Sequence, residues 1–174
     1  MNQYRYFCKS LGLTFAIVLC LTAVQQGYAD TYAGLSFGLP TLSAYLGFQD
    51  DVAGGDLRVR VGADLYDDFE LDIGVDLLFD IAQLAPNIDV YVGVGPEISF
   101  FEEENISFFG LGAMGTVGLE YAFSEQLAVF AEAGGAARYG FATEGVTAND
   151  SGIGDASDGF YSRFRATLGV LFYF

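Results

Sequence analysis

From residue 31 onward, apolar and polar residues alternate with a period of two. In DLRVRVGADLYDDFELDIGVDLLFD, residues 56–80, Arg58, Arg60, Asp64, Glu70, Asp72, Asp76 and Asp80 are interleaved with Leu57, Val59, Val61, Leu71, Ile73, Val75, Leu77 and Phe79. That period is the signature of a strand with one charged and one apolar face. Eight such segments follow one another, at roughly 31–39, 42–49, 56–66, 69–81, 88–101, 107–123, 127–141 and 161–174. Turn-type residues separate them at Pro40-Thr41, Asp50 to Gly55, Asp67-Asp68, Ala82 to Asn87, Glu102 to Asn105, Ser124 to Gln126 and Ala142 to Phe160. These are the breaks expected between antiparallel neighbours. The pattern predicts an all-β chain of eight antiparallel strands in up-and-down order.

The two faces differ sharply once all eight segments are sorted. One face carries Leu35, Phe37, Leu46, Val61, Val75, Val92, Leu111, Val117, Val129, Leu168 and Val170, and no charged residue. The other carries Arg58, Arg60, Arg138, Arg163 and Arg165, most of the segment acids, and many glycines, including Gly62, Gly74, Gly93, Gly95, Gly112 and Gly134. A soluble sandwich or barrel would put the apolar face inside. A membrane barrel reverses this, with apolar residues toward lipid and polar ones toward the lumen. Glycine on the charged face suits the crowded inside of a narrow eight-stranded tube. A soluble surface would also scatter its basic residues into the turns, which here hold none. The charged face is therefore expected to be the interior of a transmembrane β-barrel. Aromatics near the strand ends fit two interfacial girdles: Tyr66, Phe69, Phe100, Phe101, Phe108, Phe109, Tyr139, Phe141, Phe160 and Tyr161 at one end, and Tyr32, Phe48, Phe79, Tyr121, Phe123, Phe172 and Phe174 at the other.

The N-terminus fits export. Arg5 and Lys9 precede an apolar run from Leu11 to Val24, and GYA ends at Ala29. This is the layout of a cleaved signal peptide over 1–29, and the run is short for a spanning helix. The expected mature domain is 30–174. Cys20 follows Leu19, where a lipoprotein leader would carry a small residue. Both cysteines, Cys8 and Cys20, fall in the leader, so disulfides cannot staple the mature chain. After cleavage five arginines face 23 acidic residues, a net charge of −18. Nucleic-acid binding is excluded by the absence of a basic patch.

The closing segment SRFRATLGVLFYF alternates Ala166, Leu168, Val170 and Phe172 before ending on Phe174. It resembles the C-terminal assembly signal of bacterial outer-membrane proteins, and GLEYAFSEQLAVFAEAG (118–134) resembles a strand–turn–strand of the same group. Together they make the mature chain similar to the small eight-stranded OmpA-like and OmpX-like barrel families. That resemblance implies a bacterial outer-membrane location, outer-membrane lipid around the barrel, and recognition of Leu168, Val170, Phe172 and Phe174 by the barrel-assembly machinery. It departs from OmpA in lacking a peptidoglycan-binding domain after the barrel.

Other motifs carry less. GLGAMG (110–115) fits a dinucleotide fingerprint, but TVGLEYAF continues it as strand where a helix is required. Acidic stretches at 102–105 and around Glu144, Asp150, Asp155 and Asp158 would attract divalent cations without matching a calcium-loop spacing. The chain has no histidine, which removes the usual general base and most transition-metal sites. No catalytic residue, metal site or cofactor is expected. What remains is an ion-pair network in the lumen, built from Arg58, Arg60, Arg138, Arg163 and Arg165 with Asp64, Glu70, Asp72, Asp76, Asp80, Glu97, Glu120 and Glu132. An odd-length turn such as 67–69 would set Arg60 opposite Asp76. The favoured function is a non-enzymatic structural or surface barrel plugged by these pairs. One alternative is a narrow cation-preferring channel gated by them; the other is a soluble exported barrel holding an apolar ligand.

Overall fold

The computed structural model describes residues 31–39, 41–49, 55–64, 70–103, 106–142 and 159–174. The expected leader, Tyr66, Phe69 and the acidic residues of 143–158 lie outside the described residues. Eight strands run in order: β1 (Thr31–Leu39), β2 (Thr41–Phe48), β3 (Asp56–Asp64), β4 (Glu70–Ala85), β5 (Ile88–Glu103), β6 (Ile106–Ser124), β7 (Leu127–Ala142) and β8 (Gly159–Tyr173). Each pairs antiparallel with its neighbour, and β8 pairs with β1 to close the barrel. Closure gives every strand a hydrogen-bonded neighbour on both sides. The Phe174 amide extends it by donating to the Thr31 carbonyl at 2.9 Å. We call the end holding Thr31 and Tyr173 the terminal end, and the other the distal end.

Side-chain burial is inverted relative to a soluble core. Phe37, Leu39, Phe160 and Phe164 are mostly exposed on the outer face, whereas Arg60, Asp72 and Asp76 are fully enclosed. The tube has too little room for large side chains at every interior position. It solves this by setting a long side chain directly opposite a glycine. Tyr32 faces Gly47, Arg60 faces Gly74, Asp72 faces Gly62, Tyr91 faces Gly118 and Phe130 faces Gly169. A Cβ at Gly74 would stand 2.6 Å from Arg60 Nη2, and one at Gly62 would stand 2.6 Å from Asp72 Oδ2.

This interdigitation corrects the expected register of β3 and β4. Arg58, not Arg60, lies opposite Asp76, and Arg60 lies opposite Gly74. The parity is the expected one, but the pairing is shifted by two residues, because Asp64 already pairs with Glu70. β4 also runs beyond 81, to Ala85. Register shifts between Asp80 and Ala82 and between Gln83 and Ala85 insert extra residues that keep Ile81 and Leu84 on the outer face. The connection to β5 shrinks to Pro86-Asn87.

The girdles need a correction too. Outward rings do meet at the distal end, with Phe100–Phe109 centroids 5.3 Å apart and Tyr139–Phe160 5.1 Å apart. Phe101, Phe108 and Tyr161 instead pack together inside, at centroid distances of 5.0 to 5.5 Å, and Tyr32 is also interior. Adjacent strand residues cannot share a face, so Phe100 and Phe101 must point opposite ways.

Gly95→Val should destabilise the barrel by about 1–3 kcal/mol through overpacking, because its Cβ would stand 2.7 Å from the Val75 carbonyl carbon and 2.9 Å from Asp76 Cα. Gly115→Ala, whose Cβ has its nearest neighbour at 4.0 Å, should change stability by less than about 0.5 kcal/mol. Urea unfolding followed by tyrosine fluorescence compares the two.

Candidate functional site

The interior is layered. At its middle, Arg58 and Arg60 from β3, Arg138 from β7 and Arg163 and Arg165 from β8 meet carboxylates from β3, β4, β5 and β7. These strands converge there because alternation places each charged residue on the inner face and glycines opposite leave space for guanidinium groups.

Arg58 donates from Nε and Nη2 to Asp76 Oδ2 at 3.2 and 3.0 Å, and from Nη1 to Glu132 Oε2 at 2.8 Å. Its guanidinium also sits 4.8 Å from the Tyr45 ring centroid. The Tyr91 hydroxyl donates to the same Glu132 oxygen at 3.0 Å. Arg60 pairs with Asp72, donates from Nη2 to Glu97 Oε2 at 2.8 Å, and keeps Nε 3.7 Å from Asp76 Oδ2. Arg165 donates to Asp72 Oδ2 at 3.0 Å and lies 3.7 Å from Glu97 Oε2. Asp72 and Glu97 are thus each shared between arginines from opposite sides of the barrel.

Toward the distal end, Arg138 takes Glu70 with both terminal nitrogens, at 2.5 and 3.0 Å. Arg163 pairs with Asp64 and with Glu70. Arg138 stacks on Phe101, its guanidinium carbon 4.3 Å from the centroid. The Phe101–Phe108–Tyr161 cluster therefore caps the ionic layer distally. Toward the terminal end the interior turns apolar, with Tyr32, Tyr45, Phe130, Leu171 and Ala128 packed into one cluster.

The network thus takes in all five expected arginines and six of the expected acids: Asp64, Glu70, Asp72, Asp76, Glu97 and Glu132. Asp80 and Glu120 stand apart from it. Asp80 lies four residues beyond Asp76 on the same strand, past the reach of Arg58, and is exposed. Glu120 accepts a hydrogen bond from the Tyr173 hydroxyl at 2.6 Å. Neither pairs with an arginine among the described residues. Met114 is a member that charge patterning misses. Its sulfur accepts from Arg60 Nη2 at 3.2 Å and Arg165 Nη1 at 3.5 Å. Strand parity alone places it inside, as it does Tyr45 and Tyr91. Leu168, Val170, Phe172 and Phe174 line one outer stripe that includes the last strand's end.

Among the described residues no group of three or more acidic, histidine or cysteine side chains is arranged to hold a metal ion. The enclosed arginine layer offers electrostatic cohesion across the middle of the barrel.

No family model matches the sequence, and no curated protein matches it. Among solved structures, the N-terminal β-barrel domain of Pseudomonas aeruginosa OprF is similar at 16% identity, over 83% of this chain and 97% of that one, with a TM-score of 0.57. Neisserial surface protein A is similar at 15% identity, over 83% and 94%, with a TM-score of 0.49. At such identities the OprF likeness is one of fold: a closed eight-stranded antiparallel barrel.

Arg60→Leu strips a shared cation from buried Asp72 and Glu97 and should cost about 3–5 kcal/mol, the range for breaking one side of a buried ion pair. Asp80→Asn, outside the network, should cost under about 0.5 kcal/mol. Denaturant midpoints for the two variants check this contrast.

Proposed function

We propose that this chain is a non-enzymatic outer-membrane β-barrel, a structural or surface protein whose interior is closed by its own side chains. The observation that carries this reading is the inversion of burial. Arg60 and Asp72 are 0% exposed while Phe37 is 68% and Phe164 70% exposed. Water would leave this outer surface as a continuous apolar patch far larger than soluble monomers carry, whereas hydrocarbon would cover it. The same inversion argues against a soluble barrel with an apolar ligand inside, since the inside is charged. In this setting the termini face the periplasm, the distal connections face outward, and the β8 stripe ending at Phe174 is the segment offered to the barrel-assembly machinery.

Closure is supported by the layering. An ion crossing the barrel would have to pass the Phe101–Phe108–Tyr161 cap, the shared arginines, and the Tyr32–Tyr45–Phe130 cluster. The second reading, a narrow cation-preferring channel, draws on one feature. Arg138 Nη1 lies only 3.9 Å from Glu97 Oε1, so this arginine has an alternative carboxylate if it leaves Glu70.

Two measurements test the proposal. The mature chain should need detergent for extraction and should run differently on a gel before and after boiling. Once folded, it should be silent in a planar bilayer. Discrete cation-selective steps, altered in Arg163→Ala, would replace the plug with the channel. Leu111→Arg, on the outer face, should destabilise the barrel in lipid by about 2–4 kcal/mol if that position lies near the bilayer midplane.

A further inference from the structure

The barrel wall is not equally tall all round. β1 and β2 have nine and eight residues, whereas β5, β6, β7 and β8 have 16, 19, 16 and 15. β8 and β1 meet at the terminal end, where the Phe174 amide bonds the Thr31 carbonyl, so their difference in length falls at the distal end. There β1 stops with Leu39 opposite Ala166, while β8 continues against β7 as far as Gly159. β2 does not restore the height, since its first residue, Thr41, pairs with Asp64 at the end of β3. A tilted strand needs about 9–11 residues to cross the hydrocarbon. β1 and β2 sit at or below that length, and β5 to β8 exceed it.

The outward aromatics step down at the same place. On the tall side the distal rings pair as Phe100 with Phe109 and Tyr139 with Phe160. On β1 the outward aromatic nearest the distal end is Phe37, and it lies opposite Leu168, far along β8 from Phe160. Phe37, Leu39, Phe160 and Phe164 flank the step, and they are the most exposed large apolar side chains among the described residues. Interfacial aromatics mark the edge of the hydrocarbon, and here that edge falls lower on β1 than on β8. A hydrocarbon layer of full thickness would also take in the place where the chain passes from β1 to β2. Backbone groups that leave a strand find no partner in lipid. Local thinning of a bilayer is the cheaper adjustment.

We propose that the distal leaflet dips along the β8–β1–β2 side of the barrel. Lipid headgroups and water come down to Leu39 and the start of β2, while the leaflet stays level with Phe100 and Phe109 on the opposite side. The partner of the step is the lipid surface itself, and a strip of thinned bilayer runs beside the closing seam. This inference rests on the membrane-barrel reading.

The chain has no tryptophan, so a single introduced one reports its own depth. Leu39→Trp and Ala113→Trp are refolded separately into vesicles of phosphatidylcholine brominated either near the headgroup or near the acyl-chain ends. Ala113, on the outer face of β6, is the standard for the tall side. Its tryptophan should be quenched more by the chain-end bromines, and that of Leu39→Trp more by the headgroup-side bromines. A flat bilayer would bury Leu39 at least as deeply, because Leu39 lies opposite Ala166, further from Phe160 than Ala113 is from Phe109. The same order of quenching at both positions therefore overturns the proposal. Weak quenching of Leu39→Trp by both lipids also overturns it, since protein and not lipid then covers the step. If neither lipid quenches Ala113→Trp, the membrane reading itself fails and the dip with it. Gel mobility before boiling checks folding, and Leu42→Trp, with the same expected result, replaces a Leu39→Trp that does not fold.

Discussion

The structure depends on one buried guanidinium. Arg60 is completely enclosed and shared among Asp72, Asp76 and Glu97. Removing such a cation from water costs several kcal/mol, and only close pairing on more than one side recovers it. That requirement fixes much else. Gly74 must be glycine for the guanidinium to lie across β4, and Gly62 must be glycine to admit Asp72. β3 and β4 must then pair in the one register that puts each long side chain against a bare backbone. A slip of two residues would preserve the inside–outside alternation and still fail, since it would set Arg60 against Asp76 and leave Gly74 facing Gly62.

Strand number, order, antiparallel pairing and closure were legible from alternation because the period of two is unbroken through most of the chain. Sidedness was legible because charge sits on one face alone. Register was not. Alternation repeats every two residues, so it cannot distinguish Arg58–Asp76 from Arg60–Asp76; only packing of Arg60 over Gly74 does so. The bulges after Asp80 were hidden for a related reason. IAQLAPN reads as a turn-rich break, yet two extra residues let Ile81 and Leu84 both face outward while pairing continues.

The membership of the charged cluster was legible in kind and only partly in detail. Charge patterning picks out eight acids of the inner face, but ion pairing also needs the right height along the barrel axis. Asp76 shares a level with Arg58, whereas Asp80 is four residues further along the same strand. Conversely, Met114, Tyr45 and Tyr91 carry no formal charge, yet each touches an arginine or its carboxylate. Their interior position follows from parity, and their role only from contact.

The aromatic residues divide the same way. Phe100 and Phe109 belong to the outer surface, while Phe101 and Phe108, one residue away in each strand, stack face to face within the lumen at a 12° interplanar angle. Arg138 lies against that stack and also grips Glu70. Exchanging its partner to Glu97 would therefore break a bidentate ion pair and a ring contact together. The charged layer is tied to both aromatic layers, since Arg138 lies on Phe101 and Arg58 on Tyr45, so an arginine there that changes carboxylate also gives up a ring contact.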